Sequence, residues 1–143
     1  MTDRIIATGF NTGGAEGDLT RLAARLAHME EIGCTGAEIT AVGLDAVIAC
    51  RLIPDRVAAL RQIMAAHDLA YSMHAPIAIN LMDEDHAGLM QRAAIVSLEL
   101  AAEIGAKAVV IHPGRVHPKD WVDCQAQLYQ FELEQLGPVA DRA

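Results

Sequence analysis

Short apolar runs alternate with longer stretches of helical periodicity along the whole chain. Arg4–Gly9 (RIIATG) is a β-branched run closed by glycine, which predicts a strand. Gly13, Gly14 and Gly17 make the following loop pliable, and Asp18 stands as a helix N-cap. Leu19, Leu22, Ala23, Leu26 and Met29 then recur on one helical face until Gly33 ends the run. Gly36–Thr40 (GAEIT) predicts a second strand. Pro54 suits the first turn of a helix striped by Val57, Leu60, Ile63 and Met64 and reaching about His67. Leu69–His74 (LAYSMH) predicts a third strand, Ala75–Asp85 a loop, and the residues to about Ile104 a long helix closed by Gly105. Lys107–His112 (KAVVIH) predicts a fourth strand. Pro113-Gly114 breaks it sharply, because proline cannot donate to a ladder and glycine permits the turn. From about Asp120 to the C-terminus the pattern is helical again, with Gly137-Pro138 as its weak point.

The order is βα four times over, with strand starts spaced roughly as one βα unit requires. A weak internal repeat supports this: LAHMEEIGCTGAEI from Leu26 lies on LELAAEIGAKAVVI from Leu98, sharing a Glu-Ile-Gly helix end before a buried strand. Any two helix-to-strand joints share some of that chemistry, so the repeat is consistent with common ancestry or with common physics. The architecture implied is α/β, a parallel sheet with right-handed helical crossovers. Four such units make either a small doubly wound sheet or the N-terminal half of a (β/α)₈ TIM barrel. Gly9, Gly13, Gly14 and Gly17 do not match the Gly-x-Gly-x-x-Gly spacing of a dinucleotide-binding turn, which favours the half barrel.

Composition narrows the reading further. The chain has 143 residues, 52% of them hydrophobic, enough for one core but short of the roughly 250 residues of a complete barrel. It is therefore read as a single, partial barrel domain over residues 1–143. Eleven Lys and Arg against 19 Asp and Glu leave a net charge of −8, which repels phosphate backbones and disfavours nucleic acid as a partner. No run approaches a membrane span, and Met1-Thr2-Asp3-Arg4 has no signal-peptide pattern. Cys34, Cys50 and Cys124 are odd in number and lack a C-x-x-C, as expected of reduced thiols in a cytoplasmic protein.

The strands carry the candidate chemistry. Alternate residues share a face, giving the sets Gly36/Glu38/Thr40, Ala70/Ser72/His74 and Ala108/Val110/His112. If these sets point into a barrel, small side chains fill its lower layers and a histidine tops each of two adjacent strands. Barrel chemistry sits at those C-terminal strand ends. One strand-end histidine is more often a rim residue than a ligand; two at equivalent positions, each followed by a proline loop, shift the balance toward function. Glu38 inside an apolar strand must find a partner, either a cation or substrate or a structural ion pair. Asn80 is expected to brace its loop. Asp83, Glu84 and Asp85 are expected to cap the next helix rather than bind metal. His28, His67, His86 and His117 read as solvated, with His117 a remote further site residue.

His74-Ala75-Pro76-Ile77-Ala78-Ile79-Asn80-Leu81 resembles the third-strand His…Ile-Asn-Leu motif of xylose-isomerase-like barrels and family-2 AP endonucleases. Ile104–Gly114 (IGAKAVVIHPG) is similar to their fourth-strand motif ending in His-Pro-Gly, and Gly33–Ile39 (GCTGAEI) to their second strand with its Glu. The motifs come in the family's order and cover nearly the whole chain. In the sugar or sugar-phosphate isomerase/epimerase branch, the resemblance implies a divalent metal (Mn²⁺, Mg²⁺ or Co²⁺) held mainly by carboxylates and a histidine from strands five to eight, with His74 and His112 lining the substrate pocket and Glu38 a lesser candidate for substrate contact. In the endonuclease branch it implies His74 and His112 as zinc ligands. A third reading is a non-catalytic half-barrel module for assembly or binding. The family's fifth strand, with its metal-binding Glu, would follow Ala143. The chain alone is therefore expected to bind metal weakly and turn over little or nothing. Four strands cut from a barrel also leave open edges, so either self-association or a longer parent chain is expected.

Overall fold

The structure, a computed structural model, describes residues 5–115 and 118–143, with the backbone alone over 118–125. Four strands form one sheet: β1 (Gly9–Asn11), β2 (Gly36–Thr40), β5 (Ala70–His74) and β6 (Val109–Val110). They lie in that order and every neighbouring pair is parallel. Helices α1 (Leu19–Glu31), α2 (Pro54–Ala65) and α3 (Ala87–Glu103) connect them, and α4 (Pro118–Ala140) follows β6. A two-stranded hairpin, β3 (Val47–Ile48) with β4 (Arg51–Leu52), is inserted before α2.

The alternation within each strand decides which side is covered. Ala37, Ile39 and Met73 turn toward the helices and are buried against Leu22, Leu26, Val57, Leu60 and Leu100. A second cluster joins α3 and α4 through Ala94, Val139 and Leu136, with Ala75, Ile79 and Leu81 of the loop after β5. The opposite face of the sheet is concave and open. Glu38, Ala70, Ser72 and Ala108 line a trough of about 490 Å³ there, together with Ile6, Phe10 and Asn11.

Helix ends follow the sequence signals. Asp18 caps α1 by accepting from the Thr20 N–H at 2.9 Å. Gly33 (φ 86°) and Gly105 (φ 77°) end α1 and α3 in the left-handed conformation. The bonds around them are the same. Cys34 N donates to Met29 O and Gly33 N to Glu30 O; Ala106 N donates to Ala101 O and Gly105 N to Ala102 O. This paired closure satisfies carbonyls the helix leaves free, and it needs a residue tolerant of positive φ. The repeated Glu-Ile-Gly is thus one helix-stop device used twice.

Three boundaries differ from expectation. The apolar run predicts the first strand over Arg4–Gly9, but residues 5–8 are not in the ladder and the strand is Gly9–Asn11. Its partner among the described residues, β2, pairs from Gly36 opposite Gly9; Thr8 O still accepts from Thr35 N and Gly36 N, but no regular ladder precedes Gly9, and Ile5 and Ile6 stay exposed. Of the predicted fourth strand, Lys107–His112, only Val109–Val110 is regular. Backbone bonds from Lys107 N to Tyr71 O and from Met73 N to Ala108 O extend the pairing without regular geometry, and Pro113 has no backbone donor to continue it. The expected weak point at Gly137-Pro138 is passed without a break, close to the helix end where few intrahelical bonds remain to lose. Among the described residues, no helix is long and apolar enough to cross a membrane. Cys34 and Cys50 are free thiols.

Candidate functional site

The parallel register brings the C-terminal ends of three strands to one place. Thr40 lies opposite His74, and His74 opposite Val110, two residues before His112. Glu38 Oε1 stands 2.9 Å from Nδ1 of His74, and Nε2 of His74 stands 2.7 Å from Nε2 of His112. The two rings are tilted by 47° with centroids 4.8 Å apart. All three residues singled out in the sequence are therefore in one connected group, half-buried at the mouth of the concave face.

The group extends through side chains that sequence reasoning does not single out as site residues. Asn11 Nδ2 donates to Glu38 Oε1 at 2.5 Å, while its Oδ1 accepts from the Thr40 hydroxyl at 2.6 Å and from Gly13 N at 2.7 Å. Thr12 N donates to Glu38 O, and Thr40 N to the Thr12 hydroxyl. Asn11 is hidden in the sequence because the apolar run ends the expected first strand at Gly9. Placed at the end of β1, it lies level with Glu38 and Ser72, one layer below Thr40 and His74.

Proton positions follow from the donor inventory. A carboxylate only accepts, so Nδ1 of His74 carries the proton facing Glu38. In the neutral ring Nε2 of His74 is then an acceptor, and Nε2 of His112 donates to it. Partial burial alone would push the Glu38 carboxyl up. The bonds from Asn11 and His74, with the attraction of the His74 and His112 rings in their protonated form, outweigh it and hold the carboxyl below its ordinary value. Glu38 thus remains an anion that fixes one tautomer, and the chain Thr40–Asn11–Glu38–His74–His112 runs unbroken across the strand ends.

In this arrangement the two imidazoles bond each other, and a shared ion would require the rings to part. Two imidazole nitrogens each about 2.0–2.1 Å from a tetrahedral zinc would lie about 3.3 Å apart, whereas these are in direct hydrogen-bond contact. Among the described residues no three His, Cys, Asp or Glu side chains are grouped to hold an ion.

The remaining candidates fall elsewhere. Asn80 braces the loops, accepting from Arg115 N and Met82 N and donating to Arg115 O. Asp83 accepts from His86 N at 3.0 Å just before α3, but the expected capping by Asp83, Glu84 and Asp85 is not made: the N-cap position is His86, and the helix has no side-chain cap and no acidic residue in its first turn. His28 and His86 are exposed, but His67 is not solvated: its ring is only 11% exposed, with Nδ1 2.5 Å from Glu30. Packing of α2 beside α1 closes that pair, a tertiary contact no local pattern announces. His117 and the side chain of Cys124 lie outside the described residues.

The model of the xylose isomerase-like TIM barrel family matches residues 26–143. The chain belongs to that family. Its structure is similar to that of a D-tagatose 3-epimerase-like protein, with a TM-score of 0.69 and 17% identity over 95% of this chain and 49% of the other. It is also similar to endonuclease IV from Thermus thermophilus, with a TM-score of 0.56 and 23% identity over 93% of this chain and 48% of the other. At such identities the likeness establishes the barrel architecture alone. The chain spans about half the length of these solved barrels. No curated protein matches it.

Proposed function

We propose that this chain supplies one side of the reaction pocket of a sugar or sugar-phosphate isomerase or epimerase. The observation that carries the reading is the unbroken Glu38–His74–His112 chain at the C-terminal strand ends, facing the concave side of the sheet. Moving a proton between adjacent carbons of a hydroxycarbonyl requires groups that hold its oxygens and exchange protons in place. The outer Nδ1 of His112, unprotonated when Nε2 donates to His74, accepts from a substrate hydroxyl. His74 passes hydrogen-bond polarity inward, and Glu38 keeps the tautomer fixed. The apolar trough below receives the carbon skeleton. A divalent ion (Mn²⁺, Mg²⁺, Co²⁺ or Zn²⁺) enters this reading only through carboxylates supplied from outside the described residues, and no step is assigned to it. We also propose that a second copy of the chain covers the open strand edges.

A zinc-dependent AP endonuclease is the second reading. The paired imidazoles favour it, since zinc takes nitrogen ligands, and the net charge of −8 opposes it. Titrating the ¹⁵N-labelled chain with a ketohexose, a ketose phosphate and an abasic-site DNA duplex separates the two. The His74 and His112 ring signals should move with the ketoses, and the His112 response should be lost in His74→Ala. Movement with the DNA and zinc alone would overturn the isomerase reading.

A further inference from the structure

His112 lies beyond the regular ladder. The last backbone bond holding its segment to the sheet is donated by Ala75 N to Val110 O at 2.9 Å, and β6 ends there. Its ring nevertheless meets that of His74 at 2.7 Å, so something other than the sheet fixes the next residues. Two side chains do. Glu132 of α4, only 8% exposed, accepts from Gly114 N at 2.5 Å. Asn80, in the loop after β5, holds Arg115 from both sides, accepting from its N–H at 2.9 Å and donating to its carbonyl at 2.8 Å. The three residues after His112 are thus tied to a neighbouring helix and a neighbouring loop. Gly114 is part of the fit: a Cβ there would lie 2.3 Å from Met82 Cγ and 2.8 Å from Asn80 Oδ1.

A buried carboxylate carries a desolvation cost that an apolar residue on α4 would avoid. Its position is explained by what it holds. A hydrogen bond from a backbone N–H to a carboxylate is charge-assisted, stronger than a neutral one and directional. The bond therefore fixes the loop's path two residues past the histidine.

We propose that Glu132 and Asn80 are positioning residues that set His112 against His74. They do not touch the concave face themselves; they act through the Gly114–Arg115 backbone. The inference rests on reading the histidine pair as the working end of the site, but its readout is a bond inside the chain. The scalar coupling between the two Nε2 nitrogens across their N–H···N bond reports that bond directly. It should be present in the native chain, lost in Glu132→Ala and retained in Glu132→Gln, which keeps the acceptor. Glu134→Ala, an exposed change on the same helix, should leave it intact. Persistence of the coupling in Glu132→Ala, or its loss in Glu132→Gln as well, overturns the proposal. Should Glu132→Ala fail to fold, Asn80→Asp keeps the acceptor for Arg115 N and replaces donation to the Arg115 carbonyl by repulsion. Weakened coupling there supports the proposal and unchanged coupling overturns it. A native chain with the coupling intact and no response to ketoses would defeat the isomerase reading while leaving this one standing.

Discussion

At the scale of single residues, Glu38 decides the state of everything beside it. Its carboxylate selects the Nδ1–H tautomer of His74 and so makes Nε2 the acceptor for His112. Removing it should reverse that choice. In Glu38→Ala the His74 nitrogens should shift toward the Nε2–H pattern in ¹⁵N spectra at neutral pH; an unchanged tautomer would show that Glu38 does not set it. The sign of the pH dependence follows from the depressed folded-state value. A carboxyl held below its ordinary 4.5 contributes stability that is present above 4.5 and is lost as pH falls through the folded value. Glu30 behaves in the same way, held down by its bonds from His67 and from the Asp68 N–H. Acid titration of the melting temperature should therefore fall more steeply below pH 4.5 in the native chain than in a Glu38→Gln/Glu30→Gln double variant. Parallel curves would contradict this. The site residues legible in the sequence are those whose type and strand position coincide: Glu38, His74 and His112. Asn11, a common loop residue, becomes visible only when the register moves β1.

At the scale of elements, the sequence speaks clearest where one physical cause acts locally. β2 lies where expected, because the Gly36–Thr40 alternation has one face to bury and one to open. The stops at Gly33 and Gly105 are equally readable, since both need positive φ. Gly33→Ala and Gly105→Ala should each cost about 1 kcal/mol in chemical denaturation, because the same closure is strained in both. A cost at only one would separate the two ends. What is not legible depends on partners distant in sequence. The β3–β4 hairpin turns through Ala49 (φ 49°) and Cys50 (φ 55°), neither of them the Asn or Gly that normally marks such a turn. The Glu30–His67 pair exists only because two helices meet. The extent of β1 and β6, each with one partner strand among the described residues, follows their pairing and not apolar content.

At the scale of the whole molecule, four parallel strands are covered by helices on one side and open on the other. Ile5, Ile6 and Phe10 stand exposed beside the β1 edge, and Val110 is 40% exposed on β6. Unpaired edges and an open apolar face are surfaces that associate. Light scattering should give a mass at least twice the 15.3 kDa of one chain, reduced by Phe10→Asp. A monodisperse monomer would contradict the proposed second copy. Among the described residues, the site's geometry rests on the Glu38–His74–His112 bonds and the loops behind them. The most direct test is the ¹⁵N–¹⁵N coupling between His74 and His112 in the native chain at neutral pH. A resolved coupling joining the two Nε2 nitrogens is expected, with Nδ1 of His74 protonated. Two uncoupled imidazoles with independent tautomers would contradict it.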